Sequence, residues 1–212
     1  MTLNQQPNDF FHWIAPYYDT LIHLLTFGGY QSFLRKAVKI LAPQKGEKIL
    51  DLCSGTGKVA SWISSAVGEE GRVMGMDITQ SMIDVAKERY KGLANVIFVK
   101  KDVTQPWAYQ DHFDGIFTSF SIHELQEKYR AGVIERSYAA LKGDGRIVIA
   151  DFHPQPSGMA KIISLIFFQL FERRNLSFFS FPQNETLRKA GFRRVRTFPV
   201  LGGIFQITLA QR

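Results

Sequence analysis

The sequence has few of the features that anchor or cross-link a chain. Its 212 residues include one cysteine, Cys53, so no internal disulfide can form and an oxidising compartment is not indicated. The first residues lack a basic segment followed by an apolar run, so no secretory signal is expected. The longest apolar run, residues 162–171, is about half of the roughly 20 residues that span a bilayer. These absences predict a soluble, cytoplasmic protein, and no cluster of metal-ligating residues stands out.

The composition is that of a folded domain with a basic C-terminal third. Glycine and proline account for 17 and 8 of the residues and 45% are hydrophobic, which excludes a disordered or low-complexity chain. Residues 1–150 carry 17 Lys/Arg against 16 Asp/Glu, whereas residues 151–212 carry 9 against 3. Such a region is typical of a solvated surface or of one that meets an anionic partner. No motif that combines basic with aromatic residues accompanies it, so we expect no sequence-specific binding to nucleic acid.

Strand-like apolar runs alternate with helical segments along most of the chain. Alternation of this kind predicts an α/β fold built from βαβ units, with a doubly wound, Rossmann-like sheet. Leu201-Gly-Gly203 separates the last two strand-like runs and predicts a hairpin, so the last of seven strands should enter a mostly parallel sheet antiparallel. The predicted strands are residues 48–52, 72–76, 96–99, 113–117, 146–150, 195–200 and 204–209; the predicted helices lie within 10–42 and at 58–67, 80–90, 124–141 and 184–190.

Residues 49–60 form the most informative segment, in which a strand leads through a glycine turn into a helix. Gly55 and Gly57 let the backbone approach a ligand, and the start of the helix offers free N–H groups. Asp77 ends the next strand twenty residues beyond Gly57, where its carboxylate can accept hydrogen bonds from both hydroxyls of a ribose. The pattern predicts an adenosine-containing cofactor.

Three nucleotide-binding loops are compared with this segment. The segment does not match a phosphate-binding P-loop, because Leu52 stands where that motif has its first glycine and Val59 stands where it has serine or threonine after the lysine. The dinucleotide pattern is satisfied by Gly55, Gly57 and Ala60. The glycine loop of the S-adenosylmethionine-dependent methyltransferases is favoured by Asp51, because a carboxylate at the strand end repels a pyrophosphate and attracts the ammonium of methionine.

Asp51-Leu-Cys-Ser-Gly-Thr-Gly57 resembles the acid-x-Gly-x-Gly-x-Gly motif of the class I methyltransferases, and the chain is most similar to their ubiquinone/menaquinone-biosynthesis (methyltransferase type 11-like) branch. Cys53 replaces the first glycine of the motif, a position where small residues substitute. The matching motifs cover about residues 16–152. The resemblance implies S-adenosylmethionine as the cofactor and S-adenosylhomocysteine as the product.

The resemblance also implies roles for individual residues. The backbone of Gly55 and Gly57 lines the methionine moiety and Asp77 binds the ribose. Met82 lies beside the adenine, and Asp102 meets its amino group. The complete set of expected cofactor-binding residues, which includes Tyr18 of an N-terminal cap, is Tyr18, Asp51, Cys53, Ser54, Gly55, Thr56, Gly57, Asp77, Ile78, Met82, Asp102, Val103 and Ser119.

Two histidines are candidates for positioning or deprotonating the methyl acceptor. His123 follows the fourth predicted strand and His153 the fifth, at the edge of the sheet that faces a ligand in this topology. An ordinary loop histidine is the alternative for each. The Phe-rich residues 157–181 would form a core helix, a cover over an apolar acceptor, a membrane-facing surface or a dimer interface.

The sequence therefore predicts one methyltransferase domain, residues 1–212. We divide it into an N-terminal helical cap (1–45), a cofactor-binding core (46–152), an apolar insertion (153–182) and a C-terminal helix and hairpin (183–212). The expected acceptor is a small hydrophobic or amphipathic molecule, such as a quinone precursor, a lipid or an aromatic metabolite. The alternatives are an NAD-dependent oxidoreductase and a cofactor-binding scaffold without catalysis. The acceptor's identity, the methylated atom and the presence of a homodimer stay open.

Overall fold

The structure is a computed structural model that describes residues 15–17, 19–20, 29–171 and 176–212, without the side chains of 167–171. The described ranges form a seven-stranded sheet with helices on both faces. In chain order the elements are α1 (Gly29–Leu41), β1 (Lys48–Leu52), α2 (Lys58–Val67), β2 (Arg72–Asp77), α3 (Gln80–Arg89), β3 (Val96–Lys100), β4 (Phe113–Ser119), α4 (Glu127–Ala140), β5 (Leu141–Phe152), α5 (Gly158–Phe171), a 3-10 turn (Leu176–Ser180), α6 (Gln183–Lys189), β6 (Arg193–Val200), a second 3-10 turn (Leu201–Gly203) and β7 (Phe205–Gln211).

The strand order is β3-β2-β1-β4-β5-β7-β6. Strands β1 to β5 pair in parallel, and β7 lies antiparallel between β5 and β6. The predicted fold class and the antiparallel last strand are confirmed. Because β1 pairs with both β2 and β4, the order reverses at β1, and a crevice for a ligand opens at the carboxyl ends of these strands.

Buried strand residues alternate between two apolar layers. Ile49 and Phe117 pack with α1 and α2 residues on one face, whereas Leu50 and Ile116 pack on the other face with residues such as Val133 of α4. Successive side chains of a strand point to opposite faces, so nearly continuous apolar strands indicate a sheet that is covered on both sides. This rigid centre holds the loops at the carboxyl edge in place.

After residue 42, two predicted boundaries differ from the structure by three residues or more, and the others by at most two. Strand β5 begins at Leu141 instead of 146, because Phe113 pairs with Leu141 and the register then shifts, so that Gly115 pairs with Arg146. The glycines between those two pairs resembled a plain turn in the sequence. Helix α4 begins at Glu127 instead of 124, because the preceding backbone is held by a side chain of β5 that is described below.

The insertion contains α5 and the first 3-10 turn. The sequence predicts helical structure within residues 10–42, and in that region the structure describes α1. Most residues before α1 lie outside the described ranges. The division into four segments stays a prediction. Within the described ranges, no helix combines the length and the hydropathy needed to cross a bilayer.

Candidate active site

A glycine loop connects β1 to α2 at the carboxyl edge of the sheet. The N–H of Ser54 donates to the carbonyl of Met76 at 2.8 Å, and the N–H of Gly57 donates to the carbonyl of Ser54 at 2.9 Å. Cys53, Gly55 and Gly57 all have left-handed backbone conformations, with φ of 56°, 52° and 78°. The loop is therefore tightly wound and tied to the end of β2.

The two glycines of the loop serve different purposes. A Cβ added to Gly55 would meet no atom of the described residues within 4 Å, so its open side leaves room for a ligand. A Cβ added to Gly57 would lie 2.6 Å from Cζ of Phe98 and 3.0 Å from Cβ of Ala86. A side chain at Gly57 would therefore meet the protein itself, so the open side that the sequence predicts for both glycines is found at Gly55 and not at Gly57.

Two buried carboxylates lie at the adjacent strand ends. Asp77 accepts hydrogen bonds from the N–H of Gly55 at 2.9 Å and from the N–H of Thr79 at 2.8 Å. Asp51 is 2% exposed, and its Oδ2 has no hydrogen-bond partner among the described residues. Burial raises the pKa of Asp51 well above its usual value, and the charge of Asp77 raises it further; burial also raises the pKa of Asp77. A cationic ligand group that donates hydrogen bonds would offset both costs.

These features fit S-adenosylmethionine. Its ammonium group supplies the positive charge and the donors that the unpartnered oxygen of Asp51 calls for, and its ribose hydroxyls can donate to the remaining lone pairs of Asp77. Ser54 contributes a second buried atom without a partner among the described residues, its Oγ. Gly55 leaves the open space that a close backbone approach requires.

The remaining expected cofactor residues are spread over neighbouring strand ends. Met82 and Val103 are buried, and Ile78 and Ser119 are half-buried. Oδ1 of Asp102 accepts hydrogen bonds from Thr104, from its N–H at 2.8 Å and from its hydroxyl at 2.7 Å, so this oxygen stabilises a turn after β3. The topology brings these residues to one edge of the sheet.

One member of the predicted set, Thr56, contacts the N-terminal region. Tyr18 lies outside the described residues. Its neighbour Asp19 is described, and its Oδ2 accepts a hydrogen bond from the hydroxyl of Thr56 at 2.8 Å. Oδ2 of Asp19 also contacts Nη1 of Arg89, at the end of α3. Sequence reasoning missed Arg89, because an arginine in the last turn of a helix is unremarkable.

His123 lies on the loop after β4 and is buried against an acid of β5. Its Nδ1 lies 2.5 Å from Oδ1 of Asp151, and both side chains are almost fully buried. Burial alone would lower the pKa of His123, but the charge of Asp151 and the hydrogen bond to it raise that pKa to about 10, with a smaller contribution from Glu124, whose Oε1 lies 3.5 Å from Nε2 of His123. The imidazolium is therefore the resident form at neutral pH.

Asp151 also organises the loop that carries His123. Its Oδ2 accepts hydrogen bonds from the N–H groups of Ile122 at 3.0 Å and His123 at 3.2 Å, and its Oδ1 accepts one from Phe152 at 2.8 Å. These bonds explain why α4 starts later than predicted. Sequence reasoning missed Asp151, although an acid directly after the buried run of β5 was the available signal.

Aromatic rings surround His123. Its ring centroid lies 5.0 Å from that of Phe152, 6.0 Å from that of Phe178 and 6.4 Å from that of Phe120. Arg130 is a second buried cation nearby, stacked 5.4 Å from the ring of Phe178, and its two Nη atoms have no hydrogen-bond partner among the described residues. The ends of β4 and β5 therefore form an aromatic environment that holds two cations, His123 and Arg130, beside the carboxylate of Asp151.

His153 lies in a different setting, at the end of β5. Its Nδ1 accepts a hydrogen bond from the N–H of Gln155 at 3.1 Å, and partial burial lowers its pKa. It lines a cavity of about 410 Å³ between the start of the insertion and the turn that joins β6 to β7. The lining residues are His153, Gln155, Pro156, Ser157, Pro199, Gly202 and Gly203.

Helix α5 is largely solvent-exposed in the part whose side chains are described. Only Ala160 and Ser164 among its residues 158–166 are buried, and five large apolar side chains of this helix are 39–69% exposed: Met159, Ile162, Ile163, Leu165 and Ile166. Phe178 and Phe181, farther along the insertion, are buried in the core. The core interpretation therefore holds for Phe178 and Phe181 and not for residues 158–166.

The fold, together with the glycine loop and the two carboxylates at the carboxyl edge of the sheet, is that of the class I methyltransferases. A solved S-adenosylmethionine-dependent methyltransferase from Aquifex aeolicus has the same fold, with a TM-score of 0.64 and 24% identity over 84% of this chain and 88% of that chain. Residues 2–212 match the model of the ubiE/COQ5 methyltransferase family, and the chain belongs to that family. It is a methyltransferase that uses S-adenosylmethionine, which excludes the oxidoreductase alternative.

Two curated relatives illustrate the family. A 2-phytyl-1,4-naphtoquinone methyltransferase from Thermosynechococcus vestitus (strain NIES-2133 / IAM M-273 / BP-1) is 30% identical, over 95% of this chain and 97% of its own length. A ubiquinone/menaquinone biosynthesis C-methyltransferase UbiE from Serratia proteamaculans (strain 568) is 28% identical, over 92% of this chain and 86% of its own length. The chain thus aligns with nearly complete relatives.

Proposed function

We propose that the protein transfers the methyl group of S-adenosylmethionine to a ring carbon of a reduced quinone-type acceptor with an apolar tail. The observation that carries the proposal is the buried His123–Asp151 pair among aromatic rings, at strand ends that adjoin the glycine loop. The names of the two curated relatives support a quinone-type acceptor. A flat aromatic ring fits an environment of phenylalanine rings.

In this proposal Asp51 holds the ammonium of the cofactor and Asp77 its ribose. The backbone at Gly55, Cys53 and the side chains at the neighbouring strand ends complete the cofactor site. When bound, S-adenosylmethionine supplies an activated methyl group on a sulfonium. The residues at this edge orient that group toward the ends of β4 and β5 and exclude water from it.

His123 activates the acceptor electrostatically. A positive charge close to a phenolic hydroxyl favours its ionised form, and the imidazolium next to Asp151 provides that charge. The phenolate raises electron density on the neighbouring ring carbon. With S-adenosylmethionine bound, that carbon would form a bond to the methyl group while the carbon–sulfur bond breaks with its electron pair going to sulfur. Loss of the ring proton to water would then restore the aromatic ring, with one proton released for each methyl group transferred.

Helix α5 is proposed to face a lipid surface. Leu201, at the tip of the turn between β6 and β7, is also exposed, and a Cβ on Gly203 of that turn would lie 3.9 Å from Cβ of Ala160. The exposed face of α5 and this tip therefore adjoin the cavity next to His153. An apolar tail can leave a bilayer along this surface, and the basic C-terminal third favours anionic lipid. We propose a cytoplasmic location at the membrane surface.

The acceptor is tested with purified protein, labelled S-adenosylmethionine and a reduced, prenylated naphthoquinone that lacks the ring methyl group. We expect a product with one additional methyl group on carbon, which mass spectrometry and NMR identify. His123→Gln should lower kcat by about 100- to 1,000-fold and leave cofactor affinity unchanged. Methylation on oxygen, or no product from protein that binds the cofactor normally, would refute the proposed acceptor chemistry.

The lipid surface is tested separately by flotation with vesicles. Wild-type protein should float with vesicles rich in phosphatidylglycerol, and Ile162→Ser/Ile166→Ser should reduce that binding, because both side chains are exposed. Lys91→Gln, at a distant exposed ion pair, serves as the control. Equal flotation of wild type and the double variant would contradict the membrane proposal, and a dimer of the wild type that this variant abolishes would assign the face to a second copy.

A further inference from the structure

The side chain of Asp19 joins the N-terminal region to the candidate cofactor loop. Its Oδ2 accepts the hydroxyl hydrogen of Thr56 at 2.8 Å and contacts the guanidinium of Arg89. Thr56 lies between the two glycines of the loop and is buried. One carboxylate oxygen therefore connects three segments that are far apart in the sequence.

The contact continues to the proposed ribose ligand. Gly55, the neighbour of Thr56, donates its N–H to Asp77 at 2.9 Å, and Asp77 lies just before the helix that Arg89 ends. Arg89, Asp19, Thr56, Gly55 and Asp77 thus form a connected path along the loop. A displacement of Thr56 would also shift the backbone at Gly55, on the side that is open to a ligand.

The environment makes this ion pair stronger than an ordinary surface pair. The side chain of Asp19 is 12% exposed and that of Arg89 is 34% exposed. On the same part of the chain, the pair of Glu88 and Lys91 is 72–75% exposed. Charge-assisted hydrogen bonds in partly buried positions contribute more than exposed pairs, which contribute little.

We propose that Asp19 is a positioning residue for the cofactor loop: Arg89 holds its carboxylate, and the carboxylate holds Thr56 in the conformation that binds S-adenosylmethionine. The proposal rests on the proposed assignment of the glycine loop as the cofactor site. Attachment of Asp19 and binding of the cofactor then stabilise each other, because a coupling between two events is reciprocal.

Calorimetry with S-adenosylhomocysteine tests the proposal on the full chain. Asp19→Asn and Arg89→Gln should each weaken binding by about tenfold, and the double variant should be little worse than either, because both changes break one contact. Thr56→Val, which loses the hydroxyl and keeps the shape, should resemble them. Thr56→Ser, which keeps the hydroxyl, should lose less affinity than Thr56→Val, and Lys91→Gln, at the exposed pair outside this path, should bind like wild type.

Kinetics separates positioning from a general structural role. Asp19→Asn and Arg89→Gln should raise the KM for S-adenosylmethionine and leave kcat at saturating cofactor near the wild-type value, while their melting temperatures fall slightly and stay well above the assay temperature. Proteolysis should show that S-adenosylhomocysteine protects the N-terminal region in wild type and less so in Asp19→Asn. Wild-type affinity in Asp19→Asn and Thr56→Val, or equal protection in both proteins, would overturn the proposal.

Asp77→Asn in the same assay distinguishes this failure from that of the cofactor site. If Asp77→Asn weakens binding and Asp19→Asn does not, the glycine loop binds the cofactor and Asp19 has no positioning role. If Asp77→Asn binds like wild type, the assignment of the loop itself fails, and the role of Asp19 fails with it.

Discussion

Asp151→Asn removes the negative charge that faces the buried imidazole of His123. In the native protein Oδ1 of Asp151 lies 2.5 Å from Nδ1 of His123, and the two oxygens also accept three backbone N–H groups. The amide nitrogen of asparagine cannot accept a hydrogen bond, so at least one of these donors loses its acceptor. The variant therefore loses stability in two ways, and only the loss of charge depends on pH.

The magnitude follows from the pKa of His123. Burial opposes protonation, but Asp151, with a smaller contribution from Glu124, raises that pKa from 6.5 to about 10, and each pKa unit corresponds to about 1.4 kcal/mol. We expect a total loss of about 3–5 kcal/mol for breaking such a buried pair. Because the folded pKa exceeds the unfolded one, the charge contribution is complete below about pH 6.5 and disappears as the pH rises to about 10.

Urea unfolding of wild type and Asp151→Asn between about pH 6 and pH 10 measures this difference. We expect the difference in unfolding free energy to be largest at the acidic end and to shrink toward the alkaline end. The same pair compared in a His123→Gln background should differ by an amount that does not change with pH. A constant difference across this range in the native His123 background would refute the existence of a stabilised imidazolium.

Three further predictions follow from the site and the insertion. Asp77→Ala should weaken the binding of S-adenosylhomocysteine by roughly 1.5–3 kcal/mol, measured by calorimetry, and unchanged affinity would remove it from the site. Gly57→Val should lower the melting temperature sharply because its Cβ would meet Phe98, whereas Gly55→Ala should fold and lose cofactor affinity; the reverse order of stabilities would contradict the packing. Ile166→Ser should change the unfolding free energy by less than about 0.5 kcal/mol, since its side chain is 55% exposed. A large loss of stability would restore the core interpretation of α5.

Local signals predicted most of the fold. The spacing of apolar residues predicted β1 and α2 with their observed bounds. Leu201-Gly-Gly203 predicted the hairpin that makes β7 antiparallel. These signals act over a few residues, where side-chain alternation and turn chemistry dominate. The true start of β5 was not predictable, since pairing with Phe113 draws Leu141 into the sheet.

The position of the candidate cofactor site could also be predicted from the sequence, because its motif is continuous around the glycine loop. Asp51 and Asp77 lie at the ends of adjacent strands, and parallel topology brings their carboxylates to one edge of the sheet. The contact between Gly57 and Phe98 could not be predicted from the sequence. Phe98 lies on β3, and only the packing of β3 against the loop shows why a side chain at Gly57 does not fit.

The sequence by itself determined the class of this protein, its cofactor and its α/β fold class, because each depends on short patterns within one or two elements. Only the tertiary structure decided which residues act on one another across long separations. Asp151 reaches His123 from a neighbouring strand, and Asp19 reaches Thr56 and Arg89 from the N-terminal region. A charge or a hydrogen bond depends on distance in space and on burial, and neither quantity is written in the spacing of residues along the chain.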